Sequence, residues 1–276
     1  MRLYRLIRYD IKNGICSRLY LYVPAAILCS VFTIGFYMSV QNRNLENEKL
    51  TIVNILLYFF EGKEPFSPEL GNAFVFPVVW LFIFLYSAFL TLNYPYSNLT
   101  GYGVQVITRT KSRKLWWFSK CFWVFLTTFL YFAVWYLVSL VLSLILHIDL
   151  SIQYSERICA ELLDMKLQSV QAGSVWISLV ILPVMTSVAV NLLQLCLGLF
   201  FDRIYCFLAS AVILFASTYF QTPLLIGNFA MVKRSVMYQE NGMDCTQGII
   251  ASAVLIILSI GAGFWRIRKY DILKKT

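Results

Sequence analysis

Few residues of this chain have the types and spacing that enzymatic chemistry requires. The 276 residues include a single histidine, His147, which cannot form a two-histidine metal site or activate a serine or cysteine deep in a membrane. The seven cysteines show no zinc-like spacing, and no G-x-x-x-x-G-K-S/T nucleotide-binding motif occurs. We therefore predict that the chain is not an enzyme, that it binds no cofactor or metal itself, and that any ATP is used by a partner.

Two polar side chains lie within an apolar stretch, Val175–Phe200. Asn191 and Gln194 are three residues apart, which puts them on one face of a helix. Such a pair lines a path through the membrane or binds a neighbouring helix, and the sequence leaves both interpretations open. The apolar stretches contain no Asp, Glu, Lys or Arg in their interiors. This disfavours an ion-coupled carrier and a channel with charged rings.

Six apolar stretches must position these residues. Hydrophobic residues make up 59% of the chain and charged residues 13%, against about 25% charged in an ordinary soluble domain. Each stretch approaches the roughly 20 residues that cross a bilayer as a helix, and none shows the alternation of barrel strands. The predicted spans are Leu19–Val40, Ala73–Leu92, Cys121–Leu146, Val175–Phe200, Ile204–Phe220 and Gly248–Trp265. We expect an all-α polytopic membrane bundle that forms a single domain over residues 1–276, with the first span retained rather than cleaved as a signal peptide.

The distribution of Lys and Arg predicts the orientation of the bundle. With the N-terminus inside the cell, 16 of the 23 basic residues fall on the inner side, and both termini are cytoplasmic. The net charge of +9 is then a topology signal, and nucleic acid is not expected as a partner. The predicted environment is the lipid bilayer of a cell membrane, specifically a bacterial cytoplasmic membrane.

The segments outside the spans have distinct characters. Residues 1–18 place apolar and basic side chains on opposite sides of a helix, which predicts an amphipathic interfacial helix or simply charges that orient the first span. The apolar run Thr51–Phe60 is too short to cross the membrane, so we expect it at the outer interface or as a cap on the bundle. Residues 221–247 predict re-entrant or non-helical backbone that is buried against protein. Cys159 and Cys245 fall in outer loops and could pair if the compartment is oxidising.

The most distinctive segment is the inner loop at residues 93–120. It begins with turn residues, continues through a short apolar stretch and a basic run, and ends with Trp116 and Trp117 at the membrane surface. A positive-inside loop with an aromatic belt explains its Lys, Arg and Trp residues. That explanation does not account for its glycines and apolar stretch, which would suit a short helix below the bilayer.

This inner loop and the C-terminus resemble the permease subunits of type-2 ATP-binding cassette exporters. The matching loop residues are Gly101, Gly103, Thr108, Arg109, Ser112, Arg113, Ser119 and Lys120. The ending Phe264–Ile272 is similar to the aromatic, basic and Asp-Ile ending of that family. Six spans, an amphipathic N-terminal helix and a half-inserted segment before the last span agree with it as well.

The resemblance implies a function that depends on partners. The inner loop would be a coupling helix that docks into a separate ATPase subunit, which binds the ATP and Mg²⁺. The coupling residues would be Gly101, Gly103, Thr108, Arg109, Arg113 and Lys114, with Arg109, Arg113 and Lys114 docking the ATPase. A second permease, identical or homologous, would complete the exporter, which would move an amphipathic peptide or a lipid-like or drug-like compound. The alternative is a non-transporting membrane scaffold or a self-protection (immunity) protein.

Overall fold

The computed structural model describes residues 2–43, 45, 48–66, 74–100, 112–166, 172–239 and 241–269. Within these ranges the chain is helical with two isolated β-bridges and no strand, which confirms the predicted all-α bundle. The α-helices are α1 (Arg2–Asp10), α2 (Val23–Asn42), α3 (Ile52–Phe60), α4 (Val78–Thr100), α5 (Arg113–Ile145), α6 (Glu156–Leu162), α7 (Ala172–Trp176), α8 (Leu182–Leu197), α9 (Arg203–Tyr219) and α10 (Cys245–Lys269). Helical turns of π or 3-10 geometry at Ile11–Ile15 and Cys16–Tyr22 join α1 to α2, and Ile177–Ile181 joins α7 to α8.

Five helical segments in the described part of the chain are long and apolar enough to cross a membrane. They are Leu3–Asn42, Val78–Ser97, Arg113–Ile145, Ser174–Leu197 and Cys245–Lys269. The remaining predicted span corresponds to α9, an apolar helix of 17 residues at the lower end of the roughly 17–25 residues that crossing requires. By the length and composition of its helices, the chain is a multi-pass membrane protein.

The boundaries of two helices differ from those predicted for the inner loop. Helix α4 continues past Leu92 to Thr100 with Pro95 inside it, and α5 already begins at Arg113. Both flanks of the predicted loop 93–120 are therefore helical, and residues 101–111 lie outside the described residues. Hydropathy located the apolar parts of these helices but not their polar extensions, because a helix can continue beyond the hydrocarbon core without changing conformation.

Large apolar side chains cover the outside of the bundle. On α2 the exposed residues Val23, Ile27, Val31, Ile34 and Met38 follow a helical spacing along one face. On the other side of the same helix, Ala25, Cys29 and Phe36 are buried against the bundle. A lipid environment explains an apolar surface of this extent, because lipid tails are as apolar as these side chains.

Glycines allow α10 to approach its neighbours closely. A Cβ atom on Gly263 would lie 1.9 Å from the Trp117 ring, and one on Gly248 would lie 2.8 Å from Leu182. The Trp117 indole N–H also donates to the Ile260 carbonyl at 3.0 Å. The last helix is thereby fixed to α5 and α8 by small residues, as is common in membrane bundles.

An irregular but buried segment lies before α10, at the end of the bundle opposite the inner loop. Residues 226–235, which we call the outer segment, form short 3-10 turns and are buried throughout. The Trp80 indole N–H donates to the Ala230 carbonyl at 2.9 Å, which fastens this segment to α4. The short helix α3 is also buried and packs against the bundle, so it caps the bundle rather than lying on its surface.

The two outer cysteines are thiols in the structure. Cys159 is buried and accepts a hydrogen bond from the Asn54 side-chain amide at 3.2 Å, whereas Cys245 lies 3.0 Å from the Ser178 hydroxyl. The disulfide that the sequence left open is therefore not formed.

Candidate functional site

The inner end of the bundle, which we define as the end where α4 stops and α5 starts, contains a buried polar cluster. Asp10, at the end of α1, is 3% exposed, and Lys120 on α5 is 1% exposed. The Lys120 ammonium lies 2.5 Å from the Asp10 carboxylate. The Ser119 hydroxyl donates to the same carboxylate at 2.6 Å and the Tyr94 hydroxyl at 2.8 Å. We call these four residues the inner cluster.

The donors of the inner cluster satisfy the Asp10 carboxylate. The carboxylate accepts three hydrogen bonds, and the Lys120 ammonium also lies 4.6 Å from the Tyr94 ring centroid and 5.6 Å from the Trp116 ring centroid. A buried ion pair is tolerated only when further hydrogen bonds satisfy its polar atoms, and that condition is met here. The pair is therefore neutral overall and holds its partners in one arrangement.

The inner cluster connects three separate parts of the chain. Asp10 belongs to the N-terminal helix, Tyr94 to the last turns of α4, and Ser119 and Lys120 to the first turns of α5. Gly14 strengthens the connection, because a Cβ atom there would lie 2.3 Å from the Trp123 indole nitrogen. Both flanks of the inner loop are thus fixed to the N-terminal helix.

The predicted coupling residues fall partly within the described structure. Gly101, Gly103, Thr108 and Arg109 lie outside the described residues. The Arg113 guanidinium donates to the Arg268 carbonyl at 3.2 Å, and the exposed Lys114 ammonium lies 5.6 Å from the Phe264 ring centroid. These two basic residues therefore contact the last turns of α10 and form a basic surface at the inner end.

Asn191 and Gln194 lie in the interior of the bundle. The Asn191 side-chain amide donates to the hydroxyls of Ser87 and Thr128, each at 2.9 Å, and joins α8 to α4 and α5. The Gln194 side-chain N–H donates to the Ala88 carbonyl at 2.9 Å, but no donor among the described residues reaches its side-chain oxygen. Asn191 thus binds neighbouring helices. Gln194 binds a neighbouring helix through its side-chain N–H group but not through its side-chain oxygen.

The outer end of the bundle buries charge in another way. Arg234 is fully buried and donates to the carbonyls of Lys63, Ser217, Thr218 and Phe220 and to the Asn228 side chain. Burial lowers the pKa of Arg234 to about 10, so the side chain remains charged at neutral pH.

An ion pair lies beside Arg234. The Lys233 ammonium is 2.6 Å from the Glu61 carboxylate. Burial raises the pKa of the Glu61 carboxyl, and the nearby Lys233 ammonium opposes that rise.

Sequence reasoning missed both buried charge sites. Asp10 is the single acidic residue in the basic N-terminal stretch 1–18, which could have marked it as a partner for a buried cation. Lys120 is the last residue of the predicted inner loop 93–120 and directly precedes an apolar stretch, so its position alone does not indicate burial. No pattern in the sequence marked Arg234, since its partners are backbone carbonyls.

Comparison with known proteins identifies a family. The profile of a family described as "Protein of unknown function (DUF2705)" matches residues 59–273, and the chain belongs to that family. The matched range includes the inner loop, the outer segment and the helices from α4 to α10, whereas Asp10 precedes it. No curated protein and no solved structure matches the chain.

Proposed function

We propose that this member of the family is the membrane-spanning permease subunit of an ATP-driven exporter in a cell membrane. The observation that carries the proposal is the inner cluster, because it ties the N-terminal helix to both flanks of the loop that would meet an ATPase. A displacement of that loop is passed to α1, α4 and α5 together, as a coupling device requires.

The distribution of charge supports an external source of energy. The six apolar stretches predicted to cross the membrane contain no Asp, Glu, Lys or Arg, and the buried Asp10 and Lys120 lie outside them and pair with each other, so no charged residue within those stretches can bind a coupling ion. The chain would have no catalytic residue of its own, and the partner ATPase would bind ATP and Mg²⁺. The basic surface with Arg113 and Lys114 supports docking at the inner end, with the cytoplasmic side assigned from the Lys and Arg distribution.

A second permease, identical or homologous, is part of the proposal. A translocation path between subunits needs a symmetric or pseudo-symmetric pair, and some of the polar side chains inside this bundle already bind its own helices. The Asn191 amide, for example, donates to the hydroxyls of two neighbouring helices. The substrate would then move along the interface of two bundles rather than through one.

A mild-detergent pull-down from the native membrane tests the proposal. We expect an ATPase subunit with vanadate-sensitive activity to co-purify. The double variant Arg109→Glu, Lys114→Glu should no longer bind this subunit but should still insert in the membrane. Lys114 is preferred to Arg113 because Arg113 also bonds to the Arg268 carbonyl. The control is Lys49→Glu, which reverses an exposed charge at the outer end. A clean preparation without any ATPase would overturn the exporter and favour the scaffold or self-protection protein.

A further inference from the structure

The outward side of the N-terminal helix carries charges that the proposed function does not use. Arg5 and Arg8 on α1 and Lys12 in the π-turn that follows are exposed, and we call these three residues the cationic stripe. Their spacing of three and four residues places them on one side of the helix. No described carboxylate pairs with any of the three. The stripe therefore presents positive charge that no described residue neutralises.

The inner cluster determines which way the cationic stripe faces. At about 100° per residue, Arg5 and Arg8 project about 140–160° around the helix from Asp10. Asp10 is buried and its carboxylate lies 2.5 Å from the Lys120 ammonium, so this side of α1 is fixed against the bundle. Asp10 is also the single acidic residue of residues 1–18. Because its charge is used inside the bundle, the outward side of α1 is purely cationic.

Contacts and hydropathy together place the cationic stripe at the depth of the lipid headgroups. Lys120, the partner of Asp10, directly precedes the apolar stretch Cys121–Leu146, so Asp10 lies at the inner boundary of the hydrocarbon core. The exposed apolar side chains of the first span begin at Leu19, about two helical turns after Lys12. Basic side chains at this depth are within reach of lipid phosphates.

We propose that the cationic stripe binds the headgroups of anionic phospholipids in the inner leaflet. Guanidinium groups bind phosphate through two parallel hydrogen bonds, and the Lys12 ammonium adds a further positive charge. The cytoplasmic leaflet, to which the Lys and Arg distribution assigns this end, attracts basic segments beside a span. An acidic protein surface would match the charge as well, but the depth of the stripe beside two apolar stretches favours lipid. This binding needs no ATPase and does not depend on the proposed function.

Fluorescence quenching beside the cationic stripe tests the proposal. Cys16 is exposed and follows Lys12 by four residues, so a bimane label on Cys16 reports on lipids near the stripe. The background variant Cys245→Ser removes the other cysteine that is not buried. The labelled chain is reconstituted in phosphatidylcholine nanodiscs that contain a small fraction of brominated phosphatidylglycerol or brominated phosphatidylcholine. We expect association of phosphatidylglycerol to be at least about fivefold stronger, the effect of one Lys or Arg near an anionic surface, and to weaken at high salt.

Variants that remove charge locate the binding. The triple variant Arg5→Gln, Arg8→Gln, Lys12→Gln should lose the preference for phosphatidylglycerol. It should still elute as a monodisperse protein, because all three side chains are exposed.

A matched control removes three exposed charges from other helices at the inner end. It combines Arg203→Gln, Arg268→Gln and Lys269→Gln, and it should keep the preference at Cys16 because the cationic stripe is intact. Equal quenching by the two brominated lipids, or an unchanged preference in the folded triple variant of the stripe, overturns the proposal. If that triple variant instead loses a co-purified ATPase while its lipid preference is unchanged, the stripe binds a protein partner and not lipid.

The two proposals fail separately in these measurements. A preference for phosphatidylglycerol in a chain that co-purifies no ATPase would overturn the exporter alone. Equal quenching by both lipids in a chain that does co-purify an ATPase would overturn the lipid site alone.

Discussion

The inner end of the bundle buries an ion pair, whereas the outer end buries the Arg234 guanidinium among carbonyl oxygens. In the inner cluster the Asp10 carboxylate receives three donors and neutralises Lys120. At the outer end, by contrast, Arg234 binds four backbone carbonyls and one side-chain amide oxygen. The first arrangement depends on two side chains from different helices, and the second on one side chain and the path of the backbone.

The two arrangements stabilise different kinds of structure, a helix end at the outer end and contacts between helices at the inner end. Three of the Arg234 acceptors belong to Ser217, Thr218 and Phe220, at the C-terminal end of α9. The last carbonyls of a helix have no partner within it and carry partial negative charge, so a buried cation both caps the helix and satisfies them. The inner cluster instead joins regular helices that need no such cap, and its ion pair can be broken without exposing backbone.

The largest expected effect is the loss of Arg234. The variant Arg234→Met takes the donor from four acceptors, namely the carbonyls of Lys63, Ser217 and Thr218 and the Asn228 side-chain oxygen. At about 1–3 kcal/mol each, we expect a cost of about 4–12 kcal/mol and little folded protein. Arg234→Lys should also fold poorly, because an ammonium cannot reproduce the planar fork of donors. The measurement is the monodisperse yield on size-exclusion chromatography after detergent extraction.

Arg234 caps the C-terminal end of α9, and its matched control lies at the N-terminal end of that helix. Arg203 is exposed at the start of α9, and Arg203→Met should leave the yield close to that of the wild type. Normal yield of Arg234→Met would show that the outer segment does not depend on its guanidinium.

Breaking the inner cluster should have a smaller effect that a second change partly reverses. Asp10→Asn or Lys120→Met alone leaves one buried charge without its partner, and we expect a loss of about 3–5 kcal/mol in the free energy of unfolding. The double variant Asp10→Asn, Lys120→Met removes both charges and should be more stable than either single variant. Apparent melting temperatures in detergent of the wild type, the two single variants and the double variant measure the energetic coupling between Asp10 and Lys120.

The same variants also test whether the inner cluster couples the inner loop to ATP hydrolysis. If the inner cluster transmits motion of the loop, the double variant should bind the ATPase but lose substrate-stimulated ATP hydrolysis. Additive destabilisation by the two single changes would contradict the pairing, and unchanged stimulation in the double variant would remove the coupling role.

The sequence predicted the regular parts of this fold because their cause is local. Apolar stretches of about 20 residues can be satisfied in lipid only as helices, so the apolar parts of the spans from Leu19 to Trp265 could be located, although α4 and α5 continue beyond the predicted ends at Leu92 and Cys121. The buried character of the segment before α10 was also predictable, since it alternates apolar pieces with isolated charges such as Lys233 and Arg234.

Pairings between distant residues could not be predicted in this way. Asp10 and Lys120 are 110 positions apart, and nothing in either local pattern indicates the other. The sequence marked Gln194 as a polar residue of a span, but not its contact with the Ala88 carbonyl of α4. Which half of that amide remains without a partner depends on the packing of α8 against α4, which no periodicity encodes.

The smallest expected effect concerns the ion pair beside Arg234 and its dependence on pH. Burial raises the pKa of Glu61 above its ordinary value of 4.5, so the folded chain takes up this proton at a higher pH than the unfolded chain. The stability contributed by Glu61 therefore increases as pH falls through the folded-state pKa and becomes constant below about 4.5. Relative to Glu61→Gln, the wild type should thus gain a few degrees in melting temperature between pH 7 and 4.5, whereas Glu161→Gln, which changes an exposed carboxylate at the same end, should follow the wild type. A difference between wild type and Glu61→Gln that grows with increasing pH would mean that the Lys233 ammonium outweighs burial at this site.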